Sequence, residues 1–235
     1  MCSFRIICQN NGTCYLNSST NVYSCICANN FYGPNCQYGY KPLNSTTFIN
    51  STILTQEQGI SLLNLIGIPS NSAATKVYQA SLNGFYASNF HSKVDGINGT
   101  LTVIKSGNGN IFGGFTMLNW GSPSGYYYDK SAYIFSLTNM KNYSCIINQT
   151  VTGRNSLYIS NIVGPTFGDG YEINTIDISG LTNKSSSVFR SVYQPPLNFT
   201  FNSQESNSFL AGSINFQTIE IEVYTSIDLI LKSFF

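Results

Sequence analysis

Six of the seven cysteines lie at the start of the chain: Cys2, Cys8, Cys14, Cys25, Cys27 and Cys36. A segment this short cannot bury a core of its own. Cysteine at that density therefore implies a disulfide framework made in an oxidising compartment. Spacing alone leaves the pairing open among all the connectivities that six cysteines allow. Clustered cysteines can instead hold structural zinc, but Cys25-Ile26-Cys27 with a single histidine in the chain fits zinc-ligand spacing poorly. The rest of the 235 residues contains only Cys145, so it must be held by a hydrophobic core. The chain thus divides into a stapled module and a larger domain.

The larger domain ends on its most regular stretch. In Phe209-Leu-Ala-Gly-Ser-Ile-Asn-Phe216, Leu210, Gly212, Ile214 and Phe216 share one parity; Ile219, Ile221 and Val223 share the other. Alternation of this kind marks a strand with one buried face, and the change of parity places a bulge or break near Gln217-Thr218. Ile219, Ile221 and Val223 are read as the core face, with Glu220 and Glu222 turned to solvent. Upstream, Thr55-Gln-Glu-Gln58 is a capping box opening a helix of about three turns with an apolar stripe at Ile60, Leu62, Leu63, Leu65 and Ile66. Gly67 and Pro69 end it.

Short strands are expected at Thr75–Leu82 (closed by a turn at Asn83-Gly84), Leu101–Lys105, Ile111–Leu118, Ala132–Leu137, Leu157–Val163 and Tyr171–Ile178. Gly113-Gly114 inside one of them indicates a bulge or a close backbone approach. Ser88–His91 reads as no more than a helical turn. Gly164–Gly170 reads as turns, and Asn119–Lys130 and Gly180–Ser208 as polar surface loops. Many short strands with few helices argue a mostly antiparallel β-sandwich. The expected boundaries are a module at 1–37, a linker at 38–51, a domain at 52–226 and a tail at 227–235.

Two resemblances attach to these pieces. Asn10-Asn-Gly-Thr-Cys14, Cys25-Ile-Cys27 and Phe31-Tyr-Gly-Pro-Asn-Cys36 resemble an EGF-like module. That resemblance implies the pairs Cys2–Cys14, Cys8–Cys25 and Cys27–Cys36. No calcium is expected, because only Met1 precedes the first cysteine. Five later pieces resemble a TLDc domain in the family's order. They are Gly84–Gly96, Gly109–Phe115, Ala132–Asn139, Gly164–Ile173, and Phe209–Phe216 with Ile219–Tyr224. The fold implied is mostly β: a small disulfide-rich EGF-like module followed by a two-sheet antiparallel β-sandwich with a few edge helices. Family members commonly carry a histidine at His91 and a cysteine where this chain has Val94, so thiol chemistry at that position is not available here.

Candidate sites are few. Nine Asn-x-Ser/Thr triplets occur, at Asn11, Asn17, Asn44, Asn50, Asn98, Asn142, Asn148, Asn183 and Asn198. They are glycan acceptors if the chain is secreted. His91 is the only histidine, so no Ser-His-Asp triad or multi-histidine metal site can be assembled. It reads as a locally hydrogen-bonded residue. The functional alternative is a small polar site that pairs His91 or Asp95 with Glu220 or Glu222. Cys145, beside Ile146 and Ile147, reads as a buried small hydrophobe rather than an intermolecular bridge. Gly107–Gly109 and Gly168–Gly170 lack the context of a phosphate-binding loop and are turns.

Charged residues are 9% of the chain and the net charge is +1, so neither nucleic acid nor an acidic membrane is an expected partner. No apolar run is long enough to span a bilayer. No cofactor, metal or catalytic constellation is expected. The reading is a monomeric, non-enzymatic extracellular or cell-surface protein that binds an unidentified protein or glycan. The Cys2 motif leaves no room for a signal peptide after Met1, a conflict resolved by a leader upstream. The alternative is an intracellular TLDc factor, similar to relatives linked to oxidative-stress resistance and to the vacuolar proton pump.

Overall fold

The computed structural model describes residues 8–17, 22–26, 31–32, 35–36, 38–39, 48, 50–69, 72–150, 155–169, 171–176, 183–226 and 228. The chain divides into two compact units, Met1–Asn44 and Ser45–Phe235. In the first, β1 (Thr13–Asn17) and β2 (Val22–Ile26) form an antiparallel pair with Cys14 opposite Cys25. A second pair joins β3 (Phe31–Tyr32) to β4 (Tyr38–Gly39). Cys8 is bonded to Cys25, and Cys14 and Cys36 are also disulfide-bonded. Cys2 and Cys27, the partners that the EGF-like resemblance implies for them, lie outside the described residues. So do Asn44, most of the linker, and the tail apart from Asp228.

The second unit opens with α1 (Gln56–Leu65). Its capping box forms as the sequence predicts: Gln58 N donates to Thr55 Oγ1 at 3.2 Å, and Thr55 N donates to Gln58 Oε1 at 3.0 Å. Gly67, at φ 65°, turns the chain out of the helix. The amides of Gly67 and Ile68 then close on the Asn64 and Leu63 carbonyls, the paired bonds of a Schellman ending. Thereafter come β5 (Thr75–Gln79), α2 (Ala80–Asn83), α3 (Ala87–Val94), β6 (Thr100–Ser106) and β7 (Ile111–Thr116). They are followed by β8 (Gly125–Tyr127), β9 (Tyr133–Thr138), β10 (Cys145–Ile147), β11 (Leu157–Ile159) and β12 (Val163–Phe167). The chain closes with β13 (Ile173–Ile176), β14 (Ser185–Ser186), α4 (Gln204–Phe209), β15 (Asn215–Phe216) and β16 (Thr218–Thr225).

Two six-stranded antiparallel sheets result, ordered β10-β9-β7-β6-β16-β5 and β15-β14-β13-β12-β11-β8. The period-2 pleat sends alternate residues of the first sheet to two different cores. Ile104, Phe112, Ile134, Ile221 and Val223 face the second sheet, meeting Leu157, Phe167, Ile173 and Phe216 there. Leu101, Val103, Phe115, Phe135, Leu137 and Tyr224 face the other way, onto Ile53, Leu54, Leu62, Leu63, Ile66 and Ile68 of the α1 segment. The order of layers is therefore helix, sheet, sheet. Gly113 and Gly114 are needed by this packing. A Cβ on Gly113 would stand 1.9 Å from the Thr102 carbonyl oxygen, and one on Gly114 would stand 2.7 Å from the Phe167 ring of the facing sheet.

Several sequence readings are corrected. Glu220 and Glu222 do not face solvent: they are 6% and 0% exposed, while Ile219 is 45% exposed. The cause is the α1 layer, which takes water away from what would otherwise be the outer face of β16. The bulge between Thr218 and Glu220 also carries Ile219 outward. Phe209–Phe216 is not one strand. It is the end of α4, a turn and β15; the chain then changes sheets at Gln217 to enter β16. The stretch 183–208 is no surface loop, since it contributes Phe189, Val192 and Tyr193 to the inter-sheet core. Ser88–His91 belongs to the longer α3, residues 80–83 are helical, and Asn83-Gly84 joins two helices instead of closing a hairpin. Residues 163–167 are strand, and β8 forms within Asn119–Lys130.

The two units should respond differently to reduction. Removing native bridges from so small a module costs ~2–5 kcal/mol, whereas the sandwich has no bridge to lose around its free, buried Cys145. Hydrogen exchange after reduction should show lost protection in Thr13–Ile26 and unchanged protection in Thr100–Ser106. Loss in the latter would contradict this account.

Candidate functional site

The titratable groups fall into two buried sets, a partly exposed pair on α3 and one exposed set. In the first set, the pleat of β16 delivers Glu220 and Glu222 to the face covered by residues 50–54. Glu222 Oε1 accepts the Thr52 amide at 2.8 Å and the Lys76 ammonium at 3.0 Å, and Oε2 accepts the hydroxyls of Ser51 at 2.5 Å and Tyr224 at 2.8 Å. Lys76 also donates to the Asn50 carbonyl and to Gln79 Oε1. Glu220 Oε1 accepts the amides of Ser81 and Ile221, both at 3.0 Å. Burial by itself would raise the Glu222 carboxyl. The hydrogen bonds from Ser51, Thr52, Tyr224 and Lys76 outweigh it and hold the group below its ordinary range. Every oxygen of this pair is occupied, so the pair fastens the 51–52 segment and the start of α2 to the sheet.

The second set is His91 and Asp95, one helical turn apart on α3. His91 Nδ1 lies 2.8 Å from Asp95 Oδ1, and Nε2 lies 3.0 Å from the carbonyl oxygens of both Ser160 and Val163. The ring therefore ties α3 to the β11–β12 turn, as the locally bonded reading expects. Val94 beside it is fully buried. No hydrogen bond or ion pair links His91 or Asp95 to Glu220 or Glu222 among the described residues. The proposed pairing of the four into one polar site is not what the structure assembles.

The third set was not visible in the sequence. Glu172 is fully buried, and its Oε1 faces the amides of residues 190–193 at 3.1–3.5 Å. Its Oε2 has no hydrogen-bond partner and points at Gly168, where a Cβ would stand only 1.8 Å away. Burial pushes the Glu172 carboxyl up, against the lowering effect of the backbone amides. In the sequence it lies at the start of the expected strand Tyr171–Ile178, with nothing to mark it as a buried acid. Asp129, also buried, is saturated by Thr116 Oγ1, the Met117 amide and Ser131. Cys145 is buried, which pushes its thiol up to about 11, so little thiolate forms at neutral pH.

The exposed set lies at the β8 edge of the second sheet. Tyr126 is opposite Tyr158 across β8 and β11, with ring centroids 4.8 Å apart. Tyr171 completes the cluster, 5.9 Å from the Tyr158 ring and with its hydroxyl 3.2 Å from that of Tyr126. Elsewhere, a cleft of about 370 Å³ between the 139–141 turn and α4 brings Lys141 and Glu205 to one opening, but it contains no histidine, cysteine or buried carboxylate. Of the glycan acceptors, Asn11, Asn50, Asn98, Asn142, Asn148, Asn183 and Asn198 are exposed; the side chains of Asn17 and Asn44 are outside the described residues.

Fold and buried acids together define a class: a two-sheet antiparallel β-sandwich with a helical cover fastened by carboxylates on β16, the strand next to the β5 edge. More narrowly, the TLDc domain family matches residues 47–227, and the chain belongs to that family. No curated protein gives a significant match. No helix among the described residues is long and apolar enough to cross a membrane.

Of the three buried glutamates, Glu222 and Glu172 should respond oppositely to pH. The folded-state pKa of Glu222 is depressed, so the stability it contributes is present above its unfolded-state value and is lost as pH falls through the folded one. Glu222→Ala should cost ~3–5 kcal/mol by removing the counter-charge of Lys76 and the acceptor of the Thr52 amide and two hydroxyls, and Glu220→Ala ~1–3 kcal/mol. Urea denaturation of both at neutral pH checks this; a costlier Glu220→Ala would contradict the assignment.

Glu172 has the reverse sign. Its folded-state pKa is raised, so the stability it contributes is present below its unfolded-state value and is lost as pH rises through the folded one. Glu172→Gln retains the Oε1 acceptor without the charge. The variant should be more stable than the parent at neutral pH, and its advantage should shrink in acid. Urea midpoints across a pH series decide it, and a variant destabilised at every pH would show that the backbone amides hold an anion there.

Proposed function

We propose that this TLDc protein is a non-enzymatic binding protein of the extracellular space or cell surface, in which an EGF-like module precedes the sandwich. The observation that carries the reading is the bridged N-terminal unit: Cys8 is joined to Cys25, and Cys14 and Cys36 are also bonded. Such bridges do not persist in a reducing cytosol. The exposure of the seven described acceptor asparagines supports the same compartment. Asn110, Asn139 and Asn207, which are buried, all lie outside the acceptor triplets. The buried acids of the sandwich are engaged in holding its segments together, leaving hydroxyls, amides and tyrosine rings as the chemistry offered to a partner. The rival reading, an intracellular factor acting in oxidative-stress resistance or on the vacuolar proton pump, is favoured by family membership alone.

Intact mass of the protein recovered from its native source separates the two. The expected result is a gain of one hydrogen per bridged cysteine on reduction and a loss of mass on enzymatic deglycosylation. Recovery from cytosol with the six N-terminal thiols alkylated under native conditions and no glycan would sink the extracellular reading.

A further inference from the structure

The run Tyr126-Tyr127-Tyr128 straddles the end of edge strand β8. The pleat turns Tyr127 inward, against the core, where its hydroxyl donates to the Pro123 carbonyl at 2.7 Å. Tyr126 and Tyr128 are left 46% and 60% exposed. Tyr126 then meets Tyr158 and Tyr171 to make one aromatic cluster on the outer face of the second sheet. The hydrogen bond to Tyr171 does most to push the Tyr126 phenol up to about 12, and Asp169, two residues before Tyr171 in the chain, contributes least. Ser191 Oγ fixes Asp169 by donating to Oδ1 at 2.7 Å, and Oδ2 accepts no hydrogen bond among the described residues.

Across the same sheet, cross-strand register aligns Asn174 with Ser186 and Ser186 with Asn215, while Thr166, opposite Asn174, is fully buried. The row contains hydroxyls and amides and no charge. At ~4.8 Å per strand, the face from β8 to β15 is about 24 Å wide, a length suited to several sugar units.

We propose that this face binds an uncharged polysaccharide, with Tyr126, Tyr158 and Tyr171 stacking on sugar rings and Asp169 accepting sugar hydroxyls. The inference rests on the reading of the chain as a binding protein and names its partner. A pyranose has an apolar C–H face and a rim of hydroxyls. Recognition therefore needs an aromatic surface beside a carboxylate with an oxygen to spare, the combination found here. An uncharged ligand follows from the uncharged row and from a chain with 9% charged residues and net charge +1, which has no field to steer a polyion. A peptide adding to the sheet edge would need a longer template than the three residues of β8. The acceptor asparagines leave the tyrosine end of the face clear, since β8, β11, β12 and β13 contain none, whereas Asn183 lies just ahead of β14 at the other end.

The test is affinity electrophoresis of the full, disulfide-bonded chain through gels containing laminarin, yeast mannan or galactomannan, with heparin and polygalacturonate as charged controls. At least one neutral polysaccharide should retard it. Tyr126→Ala and Tyr158→Ala should each weaken retardation by about tenfold, and so should Asp169→Asn, which leaves the rings and the fold alone. Tyr143→Ala, an exposed tyrosine on another turn, should change nothing. Absence of retardation by every neutral polysaccharide, retardation by the charged ones alone, or retardation indifferent to Asp169→Asn and the tyrosine variants overturns the proposal. Tyrosine-dependent self-association in place of retardation overturns it too. Binding in the gel does not depend on compartment, so the mass measurement above still decides the extracellular reading separately.

Discussion

The carboxylate of Glu222 sits in the middle of the larger domain with no exposure to water, and much of the architecture follows from how it is satisfied. An ionised group there carries a desolvation cost of several kcal/mol unless donors replace the lost water. Four groups supply them: Ser51 and Thr52 from the covering segment, Lys76 from β5 and Tyr224 from β16 itself. Three separate stretches of chain are thereby referred to one point. Hydrophobic contacts between the α1 layer and the sheet have no preferred direction, whereas hydrogen bonds to a carboxylate do. The cover is thus held in one register by Glu222, while Leu62, Leu63 and Ile66 supply the area.

That arrangement dictates what the neighbouring strands must be. A sheet roofed on one side by α1 and on the other by a second sheet has no wet face at its centre, so β6 and β7 are buried along almost their whole length. Side chains must then fit at both surfaces. The fit is closest at Gly113 and Gly114, where backbone stands against the neighbouring strand and against Phe167. Trp120 fills the space nearby, packed between Phe90 and Phe167 with its Nε1 donating to Thr100 Oγ1 at 3.1 Å. His91, on the same helix as Phe90, closes that end by holding the β11–β12 turn.

The same two-sided burial explains where the sequence could and could not be read. Alternation in Glu220-Ile221-Glu222-Val223 correctly marks a strand with Ile221 and Val223 inward. The further step, that the glutamates therefore face water, assumes a solvated outer face, and nothing local reveals that residues about 170 positions earlier cover it. The capping box at Thr55 and the ending at Gly67 were legible because their bonds join residues a few places apart. The stretch 183–208 was misread for the opposite reason. Its serines and asparagines have the composition of a loop, yet Asn207 Oδ1 caps the Phe189 amide at 2.8 Å, and Ser203 caps α4. Polar residues in a weakly charged chain can line the interior when each finds a backbone partner, and composition then stops distinguishing loop from core. Glu172 is a case of the same kind, its nest of amides coming from residues 190–193.

These features bear on function through what remains unengaged. Four of the described acids are engaged in fastening segments: Glu220 and Glu222 under the cover, Asp129 at the β7 end, Asp95 against His91. General acid–base work needs a group free to exchange a proton with a bound reactant. Glu172 has a free oxygen, but it is buried against Gly168 with no space for one. At the β8 edge the balance is reversed. Tyr126 keeps nearly half its surface in water, and Asp169 Oδ2 has no hydrogen-bond partner among the described residues. A domain that engages Glu220, Glu222 and Asp129 in its interior and leaves rings, hydroxyls and an acceptor at a sheet edge suits the proposed neutral, hydroxyl-bearing partner at that edge.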